Sequence, residues 1–215
     1  VLMRGISRKP SIETLQERTM LRPAAVAAYP LYRGVAKLCG MDLVDTGFSI
    51  TEEFEAVRSV YGKGYDFFFI HVKKADSFGE DGNFEGKTKV IEEVDAHLPL
   101  LLGLKPAVIV VTGDHSTPCA LKAHSWHPVP FLIHSKACGI DDARAFTESE
   151  CDRGGLGEPP ASASMELGPA HAGKRVRVHQ GQAQDRHPGL EHDRGGAPRV
   201  DEGGGQALQE VHRGH

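Results

Sequence analysis

The chain has 215 residues, 40% of them hydrophobic and 25% charged, a size and composition suited to one domain of ordinary dimensions. A formal net charge of -4 and a sequence pI near 6.3 remove the electrostatic case for a nucleic-acid partner. No apolar run approaches the roughly 18 residues of a membrane span, no signal peptide opens the chain, and Cys39, Cys119, Cys138 and Cys151 lack paired spacing, so a cytoplasmic protein with no membrane partner is expected.

In chain order, Ala24 to Ala28 reads as a short buried strand, followed by a helix that Pro30 opens and that closes near Gly40. Glu52 to Val60 is helix-like, and Tyr65 to Val72 reads as a strand whose run Phe67-Phe68-Phe69-Ile70 fits burial on both faces. From Phe84 to Leu102, Val90, Ile91, Val94, Leu98 and Leu101 recur at helical spacing. That stripe predicts core, with Glu92, Glu93 and Asp95 on its solvated side. Strands at Ala107 to Thr112 and Val129 to His134 complete an α/β pattern, a mostly parallel sheet with flanking helices. From Glu158 to His215 there is no Phe, Trp or Tyr, and Gly, Arg, His, Gln and Pro crowd together. Such a composition buries too little apolar surface to offset a backbone entropy of about 1 to 2 kcal/mol per residue, so residues 158–215 are expected to form a disordered tail.

Chemistry concentrates where strands end. The run Val108-Ile109-Val110-Val111-Thr112 stops in Gly113-Asp114-His115-Ser116-Thr117-Pro118, placing a carboxylate beside an imidazole at an abrupt turn. Asp114 and His115 are therefore metal-ligand candidates; the alternative is a turn cap and a surface histidine. Two further polar clusters abut strands: Lys73-Lys74-Ala75-Asp76-Ser77-Phe78-Gly79-Glu80-Asp81-Gly82 after the third apolar run, and His124-Ser125-Trp126-His127 before the last. In open α/β sheets the carboxyl ends of strands form the binding crevice, where these segments can converge. Oxygen and imidazole donors of this kind suit manganese, magnesium or zinc. His71 and His134 lie on strand ends, where a satisfied structural histidine is at least as good a reading as a ligand.

These three motifs, in this order, resemble the metal core of the alkaline phosphatase superfamily, and most closely the 2,3-bisphosphoglycerate-independent phosphoglycerate mutases of the archaeal type. That family carries His-x-Lys-x-x-Asp-x-x-Gly-His-Asp-Gly, then Gly-Asp-His-Ser-Thr-Pro, then His-Ser-x-x-Pro-Val-Pro. Here His71 to Gly82, Gly113 to Pro118 and His124 to Pro130 match them, and Arg4-Gly5, Lys9-Pro10, Pro30 to Ala36 and Gly40-Met41-Asp42 also look like the family. The resemblance covers roughly residues 3 to 157, a partial alkaline-phosphatase-like domain over 1–157, and implies two divalent ions, most simply Mn2+, with Mg2+ or Zn2+ as alternatives. Asp114 and His115 would bind one ion, Asp76 and His124 the other. Glu80 stands where the family has a histidine ligand, which hardens that site and leaves room for a related metal-dependent phosphatase or another phospho-carboxylate enzyme. Lys73 and Arg4 are candidate contacts for the phosphate or carboxylate of a small phosphorylated substrate, although a lysine at a strand end is as readily only solvated. His127 matches no family ligand.

The resemblance further implies an isomerase of glycolysis and gluconeogenesis that interconverts 3-phosphoglycerate and 2-phosphoglycerate through a phosphoserine. The family's first metal-binding aspartate and its serine nucleophile have no counterpart here, so a carboxy-terminal, inactive fragment is expected. Family likeness fades after Gly157, where only Met165-Glu166-Leu167 and Ala170 to Lys174 look like remnants of a closing helix. A shifted reading frame over much of 158–215 is the corresponding expectation.

Overall fold

A computed structural model describes residues 8–160 and 164–172. Its elements are α1 (Leu15–Thr19), β1 (Pro23–Ala27), α2 (Pro30–Leu38), β2 (Asp42–Val44), α3 (Ile50–Val60), β3 (Phe67–His71), α4 (Lys74–Asp81), α5 (Phe84–Gly103), β4 (Val108–Thr112), β5 (Phe131–Ser135), α6 (Glu148–Asp152) and α7 (Ser164–His171). Three strands form a parallel sheet in the order β2-β1-β3, with Ala24 opposite Asp42 on one side and Phe68 on the other. Because β1 is the middle strand, all five of its residues are buried, and small side chains let helices approach closely.

Ala24 and Val26 pack with Val44 and with Ala56 and Val57 of α3, and half-buried Phe68, Ile70, Leu101 and Leu104 extend the cluster. A second cluster joins Ile50 and Phe54 of α3 to Val90 of α5, with Val72, Phe78, Val94 and Leu98 around it. Helix α3 starts two residues before the expected Glu52 because Ser49 and Glu52 form a capping box that supplies the orphan amides of the first turn. Helix α5 follows its predicted span closely, but Ile91 departs from the predicted core stripe and is 52% exposed, since the helix turns Val90 rather than its neighbour toward α3.

Three further features differ from the sequence reading. β3 is half-buried throughout, not buried on both faces, because among the described residues it is an edge strand with β1 on one side only. β4 and β5 do not join the parallel sheet. They pair antiparallel as a separate two-stranded sheet, Val108 opposite Ser135 and Thr112 opposite Phe131. Their connection contains no crossover helix, which a parallel pairing requires, and it doubles back through an antiparallel bridge between Ser116 and Ser125. The polar stretch after β3 is a helix, α4, that ends where Gly82 takes a φ of +71°.

Helix α7, packed against β4, occupies the stretch where remnants of a closing helix were expected, so the tail predicted to be disordered from residue 158 is helical over Ser164–His171. Residues 161–163 and 173–215 of that tail lie outside the described residues, as does Arg4. No described helix is long and apolar enough to cross a membrane, and all four cysteines are free thiols.

Candidate metal centre

Parallel pairing aligns the ends of β1 and β3, with Ala27 opposite His71, so the segments that leave these strands share one edge of the sheet. β1 runs into Tyr29 and α2; β3 runs into Lys73 and α4. Helix α4 carries Asp76 in its first turn and Glu80 one turn later, on the same side of the helix. The turn after β4 brings Asp114, His115 and Thr117 to that edge, and the loop toward β5 brings His124.

Donor atoms of Asp76, His115 and His124 lie within 4.8 Å of one another. His124 Nε2 is 3.3 Å from Asp76 Oδ1 and 3.4 Å from Glu80 Oε1, while His115 Nε2 is 3.6 Å from Asp114 Oδ2. The imidazoles of His115 and His124 lie with centroids 3.9 Å apart and their planes tilted by 35°. All five residues proposed from the motifs as ligands therefore converge. His127 does not join them: its Nδ1 meets the Ser125 hydroxyl at 2.8 Å and its ring stacks on exposed Trp126. His134 is exposed on β5, away from the cluster's hydrogen bonds.

The surroundings prepare these groups. Burial works to raise the Asp76 carboxyl, but hydrogen bonds from the Lys73 ammonium and the Thr117 hydroxyl outweigh it and hold the group below its usual range. For Asp114 burial is likewise outweighed, here by the Tyr32 hydroxyl at 2.7 Å and the nearby His115. Both carboxylates are thus ionised acceptors at neutral pH. Lys73 is raised despite burial because Asp76 faces it, and its ammonium also lies 5.8 Å from the Tyr29 ring centre. His71 is lowered by burial, is stacked under Tyr32 with centroids 3.4 Å apart, and leaves its buried Nδ1 without a hydrogen-bond partner.

Tyr32 and Thr117 are site residues that the motifs did not single out. Tyr32 sits 82 residues from Asp114 and carries no local signal of its role. Thr117 falls inside the Gly-Asp-His-Ser-Thr-Pro motif, where it reads only as part of a turn.

A sequence model of the metalloenzyme superfamily matches residues 2–170. The chain belongs to that superfamily. The match runs past Gly157 and includes most of α7. Within the superfamily, the chain is 54% identical over 173 residues to a probable 2,3-bisphosphoglycerate-independent phosphoglycerate mutase of Thermosipho melanesiensis, covering 80% of this chain and 43% of that one. It is 51% identical over 168 residues to the protein of the same name from Aquifex aeolicus, covering 78% and 41%. The chain thus spans less than half the length of the curated relatives it matches. Among solved structures, a Pyrococcus horikoshii protein superposes with a TM-score of 0.77 at 30% identity over 81% of this chain and 56% of its own. The cofactor-independent phosphoglycerate mutase of Thermoplasma acidophilum does so with a TM-score of 0.59 at 23% identity, covering 76% and 40%, and shares the fold.

A metalloenzyme's ion can be tested against these donors. Two ligands of one ion stand at most about 4.2 Å apart, twice a metal–ligand distance of about 2.1 Å. The spacings of 3.3, 3.4 and 3.6 Å meet that limit, and carboxylate oxygen with imidazole nitrogen is a donor set for a hard or borderline divalent cation. The residues fit a divalent metal ion.

Proposed function

We propose that this chain supplies most of the ligands of a two-ion centre in a 2,3-bisphosphoglycerate-independent phosphoglycerate mutase, which interconverts 3-phosphoglycerate and 2-phosphoglycerate. The observation that carries this reading is the convergence of Asp76, Glu80, Asp114, His115 and His124 at one sheet edge, in a chain about half identical to proteins named for that reaction. Asp114 and His115 hold one ion; Asp76, Glu80 and His124 hold the other. Three carboxylates against two imidazoles favour manganese, with magnesium or zinc as alternatives. When bound, such ions lower the pKa of a hydroxyl nucleophile and neutralise charge on phosphoryl oxygens.

The chain's own side chains have separate tasks. Asp76 and Asp114, both ionised, bring negative charge to the cations, and their partners Lys73, Thr117 and Tyr32 hold them in place. Lys73, at the rim beside Tyr29, offers a cation to the phosphate or carboxylate of the substrate, and Arg4 is proposed for the same task. The mutase serine has no counterpart among the motifs of this sequence, so the tasks assigned to these residues are ion and substrate binding. The proposed glycolytic reaction supports a cytoplasmic location.

Metal content tests the ligand assignment. D114A and H124A should each lose stoichiometric Mn2+, whereas H127A should keep it; equal metal in all three variants would overturn the assignment. Glu80, 3.4 Å from His124, supports a second reading as a related metal-dependent phosphatase. A coupled assay for 2-phosphoglycerate against one for released phosphate separates the two, applied to a protein spanning the full length of the relatives. The reading of a shifted frame after residue 157 is tested by sequencing the transcript; an unaltered in-frame message through the tail would remove it.

A further inference from the structure

We infer that Thr117 is a positioning residue whose hydroxyl selects the tautomer of His115 and ties the two halves of the metal centre together. The inference rests on the two-ion reading above and adds to it an account of how the ligand atoms are chosen. Thr117 is 3% exposed, and its Oγ1 lies 2.5 Å from Asp76 Oδ1 and 3.0 Å from His115 Nδ1. A hydroxyl has one proton to donate, and an ionised carboxylate only accepts. Directing that proton at His115 would leave two oxygens facing each other, lone pair to lone pair, at 2.5 Å. The proton therefore goes to Asp76, and the Thr117 oxygen is left to accept from His115.

That acceptance requires the imidazole proton on Nδ1, which leaves the lone pair on Nε2. Nε2 is the atom that faces Asp114 Oδ2 at 3.6 Å, so the tautomer exposes the correct nitrogen to the ion held with Asp114. The relay His115 Nδ1–H to Thr117 O–H to Asp76 also links the Asp114/His115 half to the Asp76/Glu80/His124 half. Thr117 itself is anchored: its carbonyl oxygen accepts from Lys87 Nζ of α5 at 2.7 Å and lies against Gly79 of α4, where a Cβ would come within 2.4 Å of it. Packing against two helices keeps the hydroxyl from drifting out of the relay.

The test compares the full chain with T117V, which keeps the shape and removes the hydroxyl, and T117S, which keeps the hydroxyl. Nitrogen NMR of the metal-free protein reads the His115 tautomer, and titration with Mn2+ alone reads affinity. The wild type and T117S should carry the proton on Nδ1 and bind Mn2+ alike; T117V should lose the tautomer preference and about 10- to 100-fold in affinity. A wild-type His115 protonated on Nε2, or a T117V variant that binds Mn2+ as the wild type does, would overturn the inference. D76A and H124A serve in the same titration: if they too bind as wild type, the metal centre itself is misassigned. Should T117V fail to fold by circular dichroism, the wild-type tautomer and the T117S affinity decide the question.

Discussion

Replacing Glu53 with glutamine should make the stability of this protein less sensitive to pH. Glu53 lies in the first turn of α3, is 4% exposed, and has one carboxylate oxygen accepting the Ala28 amide at 3.1 Å. Burial pushes its carboxyl from 4.5 up to about 7, against smaller opposing contributions from the Ala28 amide and Lys74. The folded chain thus takes up a proton at a higher pH than the unfolded chain does. Between those two values the native state binds more protons, so its stability is greatest below the lower value and falls as pH rises toward the upper one. The gap, at about 1.36 kcal/mol per unit, corresponds to about 3 kcal/mol, a sizeable share of the roughly 5 to 15 kcal/mol that holds a typical domain together. Glutamine keeps an acceptor for Ala28 and carries no charge. Its buried amide has a cost of its own, but that cost does not change with pH, so the difference between the two proteins isolates the titration. Urea unfolding with chelator present, from about pH 5 to about pH 8, should show E53Q gaining on the wild type by up to about 3 kcal/mol as pH rises. A difference that stays constant over that range would refute the reasoning.

Removing the Tyr32 hydroxyl in Y32F should let the Asp114 carboxyl rise toward the ordinary range in the metal-free protein, because the 2.7 Å hydrogen bond helps hold it down; carbon NMR titration of Asp114 reads this, and an unmoved midpoint would show that the hydrogen bond contributes nothing. In G79A the new methyl would press on the Thr117 carbonyl, a backbone atom, at 2.4 Å, so α4 and the turn after β4 must separate. That variant should lose about 1 to 3 kcal/mol of stability and much of its Mn2+ affinity together, by thermal unfolding and metal titration; full retention of both would mean that the two segments are not tightly apposed.

Local sequence was sufficient wherever a signal is carried by neighbouring residues. Pro30 opening α2, the helical spacing of Val90, Val94, Leu98 and Leu101, and the apolar runs of β1, β3 and β4 each mark an element because backbone geometry sets the period at which side chains meet a core. Asp114 and His115 were legible because an apolar run stops at once in a turn that sets a carboxylate beside an imidazole, whereas Asp76, Glu80 and His124 were picked out by their likeness to the family's motifs. Less legible was α4, whose Asp, Ser and Gly content has weak helix propensity; the packing of Phe78 against α3 and α5 compensates for it.

Strand partnership was decided in three dimensions. Nothing in Phe67 to Ile70 says that, among the described residues, β3 has a strand neighbour on one side only, and nothing in Phe131 to Ile133 says that the loop from Gly113 to Pro130 folds back on itself, so that β5 pairs antiparallel with β4. The motifs by themselves determined which residue types could bind a divalent ion and in what order they occur along the chain. Only the tertiary structure decided which atoms face one another: Tyr32 on Asp114 across 82 residues, and Thr117 between His115 and Asp76 across 41. A hydrogen bond depends on the separation and direction of two atoms in space, and for residues so distant in sequence those are set by how the sheet edge and its helices pack.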